Sequence, residues 1–245
     1  MSDRFFVAEP IVAQRVLLSG DEAHHLIHVL RAKAGQAVTL FDGGGSEFAA
    51  RVERIGRSEV ALTVESRAQV DRELPFELTM AVALPKGDRQ RWLVEKLTEL
   101  GVSRLVPLES ERGVAEPVEK ALVRLRAKVI EASKQCGRNR LMEIAAPRNW
   151  AQLCEQSSPI GVADPSRRFA VAHPKASVDA RQWSESLRKG PALRSVLLAV
   201  GPEGGWTNAE LGVAQAHGWE SLNLGPRILR VETAAVALAA IAGAL

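Results

Sequence analysis

What this 245-residue sequence has little of narrows it first. Cysteine occurs only at Cys136 and Cys154. Two thiols make neither a disulfide framework nor, unaided, a metal site, and reduced cysteine is the default inside cells. The longest apolar run, residues 236–245, is about half of the ~20 residues that a helix needs to span a bilayer. Residues 1–16 mix charges with no apolar core of a secretion signal, so a cytoplasmic protein is expected. The phosphate-cradling patterns GxxxxGK[ST] and GxGxxG are missing. His24 and His28 stand four apart, but the HExxH order is absent and no third ligand is evident, so no metal is expected.

What is present is an ordinary soluble composition, 46% hydrophobic and 25% charged, long enough for one large or two modest domains. The charge is unevenly spread. Lys120, Arg124, Arg126, Lys128, Lys134, Arg138 and Arg140 face a single acid, Glu131, within one segment of a chain whose net charge is only +3. Such a concentration suits a polyanionic partner, although a solvated helix face would carry the same residues.

The C-terminal fifty residues hold two similar units. In each, a short apolar run (196–200, then 222–224) stops at a Gly-Pro pair, Gly201-Pro202 and Gly225-Pro226, and a helical pattern follows. Glycine-bounded runs alternating with helices read as buried parallel strands, and open α/β sheets bind small ligands beyond the carboxyl ends of such strands. In GPEGGW the glycines let backbone approach a ligand or simply turn the chain. In LGPRILRVETA, Arg230, Glu232 and Thr233 open an otherwise apolar helix. Glu232 and Thr233 suit a helix start, whereas Arg230 has no such explanation.

Residues 1–73 read as β-rich. VTLF and EFAARV flank the turn Asp42-Gly43-Gly44-Gly45, EVALTVESR continues the alternation, and a small barrel or meander follows. Between them DEAHHLIHVLRAK is expected to form a short helix with Leu26, Val29 and Leu30 on its apolar side. Pro75 ends a linker, after which strands and helices alternate: LTMAVALP, RQRWLVEKLTELG, SRLVPLES, and a long basic helix after Pro117 that stops at Gly137. EIAAP, a helix from Asn149, PIGVADP, an irregular Pro-containing stretch and a helix near Trp183 fill the interval before the two units. Pattern alone gives a doubly wound sheet, since threaded connections are nearly absent from folds.

GPEGGW, LGPRILRVETAA, PKGDR, KLTELGVSRLVPLESER and the early RFF together resemble the RsmE-type 16S rRNA (uracil-N3)-methyltransferases of the SPOUT superfamily, over nearly the whole chain. The resemblance implies a SPOUT-type trefoil-knotted parallel sheet flanked by helices over residues 74–245, behind a PUA-like RNA-binding β-barrel over 1–73. It further implies S-adenosylmethionine (SAM) as cofactor, a homodimer, and 16S rRNA or the small ribosomal subunit as partner. Matched motif by motif, it places the cofactor against Leu84, Gly201, Pro202, Glu203, Gly204, Leu224, Gly225, Ile228, Leu229, Arg230 and Thr233. RNA contacts are expected from Arg4, Arg31, Lys33, Lys86, Arg124, Lys128 and Lys134.

Uracil N3 carries a proton that must leave as its lone pair attacks, which calls for a base and for a cation beside the developing anion. Arg138, Arg112 and Arg230 are the candidate cations and Glu232 the candidate base, against the alternative of a helix-start carboxylate paired with Arg230. Two departures from the family pattern stand out: Lys134 precedes Gln135 where an acid is usual, and Met142 replaces a proline. Other readings are methylation of another RNA atom, such as a ribose 2′-oxygen, and a non-catalytic RNA-binding assembly factor.

Overall fold

The computed structural model describes residues 3–112, 119–157 and 164–244. They form two compact units, Met1–Glu73 with Ile130–Leu141, and Leu74–Val129 with Met142–Leu245.

In the first unit, β1 (Arg4–Phe6), β2 (Arg15–Ser19), β3 (Ala37–Phe41), β4 (Ser46–Ile55) and β5 (Glu59–Gln69) make one sheet in the order β1-β3-β4-β5-β2. Only the β1–β3 pairing is parallel. Alternate residues Phe48, Ala50 and Val52 of β4 point into a core with Phe5, Leu18, Leu40, Val60 and Leu62, as a period of two requires. The Asp42 carboxylate holds the turn into β4, accepting from the amides of Gly44 and Ile11 at 2.9 Å each. Helix α1 (Gly20–His24) widens into a π-type turn over His25–Val29, where Leu30 N donates to His25 O at 3.0 Å. That extra residue rotates the helix face. Leu26 stays buried, but Val29, expected on the apolar side, is exposed.

The segment Ile130–Leu141 is fixed to this unit by its charges. Lys134 Nζ donates to both Glu22 oxygens at 2.8 Å, and the Arg138 guanidinium, 3% exposed, is paired with the Glu73 carboxylate. Arg4 donates to Glu47 at 2.9 Å and to Asn139 Oδ1 at 2.6 Å, while Arg72 donates to Gly137 O at 2.8 Å. Burial opposes ionisation of Glu47, yet hydrogen bonds from Arg4 and Arg72 hold its carboxyl below the usual range. Lys134 and Arg138 therefore already have acidic partners within the protein.

The second unit runs β6 (Glu77–Val82), α2 (Asp88–Glu99), β7 (Arg104–Glu109), α3 (Glu119–Cys136, its part from Ile130 belonging to the first unit), β8 (Glu143–Ile144), β9 (Arg148–Asn149), α4 (Trp150–Ser157), β10 (Arg167–Ala172), β11 (Val178–Asp179), α5 (Ala180–Arg188), β12 (Ser195–Val200), α6 (Asn208–Ala216), β13 (Glu220–Asn223) and α7 (Val231–Gly243). Its sheet is parallel throughout, in the order β11-β13-β10-β12-β6-β7-β8, with β9 paired to β7. The parallel α/β class and the smaller β-rich N-terminal unit are as the sequence led us to expect. The two C-terminal strands do not touch: β10 lies between β12 and β13. That central strand, RRFAVA, had read as irregular because only four apolar residues follow two arginines. PIGVADP falls mostly outside the described residues.

The helices end where the glycines stand. Gly101 (φ 82°) follows α2, whose Leu93 and Leu97 are buried, and Gly137 (φ 82°) follows α3, whose Leu122, Leu125 and Val129 are buried. The Asn149 carboxamide caps α4 through Ala151 N at 3.0 Å, and Asp179 caps α5 through Arg181 N at 2.9 Å. No helix among the described residues is long and apolar enough to cross a membrane.

Candidate functional site

The carboxyl ends of β6 and β12 lie side by side, and Ala83 N extends their pairing by donating to Val200 O at 3.0 Å. Leu84, in the loop beyond β6, is buried. Beyond β12 the chain turns through Gly201-Pro202-Glu203-Gly204-Gly205, closed by Gly205 N donating to Pro202 O at 2.8 Å, with positive φ only at Gly205 (71°). Gly201 is required for a different reason. A Cβ there would meet the Trp206 ring at 2.7 Å. Trp206 in turn packs on Trp150 (centroids 4.5 Å apart) and donates Nε1–H to Ala172 O at 3.1 Å. Trp150 continues to Trp219 at 4.9 Å, so an aromatic stack underlies the loop.

The loop runs into α6 through a capping box: Glu210 N donates to Thr207 Oγ1 at 3.2 Å and Thr207 N to Glu210 Oε2 at 2.8 Å. Glu210 is buried, and its other oxygen accepts from Glu111 N at 3.1 Å. Next door Arg112 donates from its guanidinium to Gly204 O at 2.9 Å. The segment after β7 is thereby stapled once to the GPEGG loop and once to the first turn of α6. The close approach expected at Gly204 is made by this arginine, since a Cβ there would come within 3.1 Å of Arg112 Cβ.

The second corner follows β13. Asn223 anchors it, donating to Ala176 O at 2.9 Å and Val178 O at 3.1 Å and accepting from Gly225 N at 3.2 Å. Gly225 has φ 95°, a conformation side chains rarely adopt. Leu224 and Leu229 are half-buried and Ile228 is 80% exposed, an unusual exposure for so large an apolar side chain. Arg230 is the exposed N-cap residue of α7, Thr233 is exposed on its first turn, and Glu232 between them is only 6% exposed. Helix α7 packs on α2, β6 and β12. This brings Glu232 to Arg89 in the first turn of α2: Arg89 Nη1 lies 3.7 Å from Glu232 and its Nη2 3.6 Å from Glu203.

Glu232 Oε2 is buried with no hydrogen-bond partner among the described residues. Leaving a buried acceptor unmet costs about 1–3 kcal/mol, so this oxygen suits a donor that the protein does not itself supply. The trio Glu203, Arg89 and Glu232 carries one surplus negative charge, with Arg112 and Arg230 the further cations on the same segments.

Of the expected site residues, Leu84, Gly201, Pro202, Glu203 and Gly204 follow β6 and β12, with Arg112 bonded to Gly204, while Leu224, Gly225, Ile228, Leu229, Arg230, Glu232 and Thr233 run from the end of β13 into α7, where Arg89 joins Glu232 to Glu203. Arg138 belongs to the first unit, committed to Glu73. Of the expected RNA contacts, Arg31, Lys33, Lys86 and Arg124 are exposed. Arg4 and Lys134 are engaged as described above, and Lys128 Nζ lies 2.5 Å from Glu95. Sequence reasoning missed Arg89 and Glu210. Glu210 was legible as the last residue of the TxxE capping box, whereas Arg89 stood only as a letter in PKGDR. His24 and His28 stack at 4.7 Å in the first unit, and no group of three or more metal-ligating side chains occurs among the described residues.

A parallel sheet with glycine corners beyond the carboxyl ends of two of its strands, and a buried carboxylate left short of a donor, is the arrangement of an α/β enzyme domain for a small ligand. Comparison with known proteins gives that class its chemistry. Residues 72–243 match the family model described as an RNA methyltransferase domain, and residues 18–65 match an RNA methyltransferase PUA domain. The chain is 34% identical to the ribosomal RNA small subunit methyltransferase E of Synechocystis sp., over 98% of this chain and 77% of that one. A methyltransferase of Legionella pneumophila, solved with SAM, superposes with a TM-score of 0.85 at 30% identity, covering 100% of this chain and 98% of the other. The ribosomal RNA small subunit methyltransferase E of Neisseria gonorrhoeae, also bound to SAM, superposes at 0.84 with 30% identity, covering 99% and 96%. The chain belongs to the RNA methyltransferase family, with the PUA domain that accompanies it.

Proposed function

We propose that this protein transfers a methyl group from SAM to N3 of a uridine in 16S rRNA of the small ribosomal subunit, as a cytoplasmic homodimer. The observation that carries the reading is the Arg89 bridge from Glu203, in the corner after β12, to Glu232 at the start of α7, in a chain that superposes over its length on SAM-bound relatives. The threading of the C-terminal segment into a trefoil knot belongs to the same proposal, supported by the match of residues 72–243 to the RNA methyltransferase domain.

The residues fit the cofactor. The half-buried Leu224 and Leu229 and the exposed Ile228 offer apolar surface and backbone groups to an adenine, Leu84 and the Gly201–Gly204 loop would hold the remainder of the molecule, and the half-exposed Glu203 carboxylate suits its ammonium group. When bound, SAM supplies an electrophilic methyl group whose bond electrons return to sulfur. The protein's task is alignment, for which effective molarity can contribute ~7 to 11 kcal/mol. Glu232 Oε2 accepts the N3 proton, so that the N3 lone pair forms the new N–C bond. Arg230, exposed beside it, stabilises the charge that develops on the uracil oxygens. Arg112 shapes the GPEGG loop through Gly204, and Arg138 secures its helix end through Glu73. Arg31, Lys33, Lys86 and Arg124 remain on the surface for phosphate contacts, and the first unit serves to place the RNA.

Nucleoside mass spectrometry of 16S rRNA from cells lacking the gene tests this reading. It predicts that 3-methyluridine is present in the parent and absent in the deletion. Loss of a 2′-O-methylated nucleoside instead would move the target to ribose, and an unchanged profile would favour the assembly-factor reading.

A further inference from the structure

Arg89 is the only side chain among the described residues for which ion pairs reach both Glu203 and Glu232. These carboxylates sit on separate loops, Glu203 at the corner after β12 and Glu232 in the first turn of α7. Arg89 comes from a third, the start of α2, where Gly87 (φ 66°, ψ −142°) turns the chain into the helix. One planar guanidinium presenting separate nitrogens to two carboxylates is a geometry that lysine cannot reproduce, because an ammonium is a single point of charge. The separations of 3.6 and 3.7 Å are those of ion pairs with room to tighten. Glu203 is half exposed and Glu232 nearly buried, so the bridge runs from the open face of the corner to its floor.

We propose that Arg89 is a positioning residue: by holding Glu203 and Glu232 together it fixes the GPEGG loop against the start of α7 and keeps the Glu232 carboxylate turned for its work. The inference rests on the reading of this edge as the methyl-donor site and goes beyond it. Without Arg89, two like charges would face one another across the corner with nothing between them, and the loop and the helix start would separate.

The test uses the full chain with Arg89→Ala, Arg89→Lys and Glu203→Gln, and reads two things. The first is amide hydrogen exchange across residues 201–207 and 230–234 without any cofactor. The second is the dissociation constant for S-adenosylhomocysteine, with kcat and KM for the RNA at saturating SAM. Arg89→Ala is expected to speed exchange in both segments, raise the S-adenosylhomocysteine constant at least tenfold and lower kcat, while leaving KM for RNA within about twofold. Arg89→Lys should recover less than half of the logarithmic loss. Glu203→Gln, which changes a half-exposed group, should reproduce the loosening at residues 201–207 on its own, and in the Arg89→Ala background should loosen that segment no further, because it also removes the repulsion left there. Unchanged exchange in Arg89→Ala, or full recovery by lysine, would overturn the bridge. Failure of the wild-type protein to bind S-adenosylhomocysteine would instead overturn the donor-site reading, and the exchange arm would still judge Arg89.

Discussion

Arg112 lies across Gly204: its guanidinium donates to the Gly204 carbonyl at 2.9 Å, and the glycine's missing Cβ would sit 3.1 Å from Arg112 Cβ. Arg112 is thus a wall of the GPEGG corner as well as a cation near it. Replacing Arg112 by Ala removes one charge-assisted hydrogen bond at an exposed position, about 1 kcal/mol, and is expected to weaken S-adenosylhomocysteine binding about fivefold with little change in thermal midpoint. Calorimetric titration checks this, and unaltered affinity would detach Arg112 from the corner.

Gly201 is required by Trp206, independently of any ligand. Gly201→Ala forces a Cβ to within 2.7 Å of the indole, and overpacking of this kind typically costs about 1–3 kcal/mol. A lowered midpoint with a shifted tryptophan emission is expected. A variant as stable as the parent, with the same spectrum, would mean that the indole has room to move.

Glu232→Gln preserves size but removes the charge that would take the uracil proton. A positioned base is worth roughly 10²- to 10⁴-fold, so kcat should fall by at least a hundredfold while S-adenosylhomocysteine affinity changes much less. Single-turnover methylation measures the split. A near-normal rate would reduce Glu232 to a helix-start carboxylate.

The Lys128–Glu95 pair joins α3 to α2 and gives stability a pH dependence. Hydrogen bonds from Lys128 and then Lys96 hold the Glu95 carboxyl below its ordinary value of 4.5. Its contribution is therefore complete above about pH 4.5 and is lost as pH falls through the lower folded value. Glu95→Gln should flatten the decline of the thermal midpoint between about pH 5 and 3 relative to wild type. Parallel curves would show that the pair contributes nothing.

The parts of this protein written locally were legible in its sequence. Gly-Pro pairs after short apolar runs marked the ends of β12 and β13, and Gly137 marked the end of α3. Contacts between distant residues were not legible. Arg89 meets Glu203 and Glu232 only once the sheet has formed, and of the ion pairs among the described residues these two span the longest stretches of chain. The same holds for Arg138 and Glu73, which place Ile130–Leu141 with the first unit although the helix reads as one uninterrupted basic element. β10 escaped because its two arginines broke the apolar run that a central strand is expected to show. Val29 was misplaced because a single π-type turn moves the face by one residue.

The central claim is methyl transfer to uridine N3, and the most direct measurement supplies purified protein, unmodified small subunits and SAM bearing a trideuterated methyl group, followed by nucleoside mass spectrometry of the digested 16S rRNA. The account predicts trideuterated 3-methyluridine as the labelled product with wild-type protein and at least a hundredfold less with Glu232→Gln. Label on a ribose oxygen or on another base, or no label from a protein that binds SAM, would contradict it.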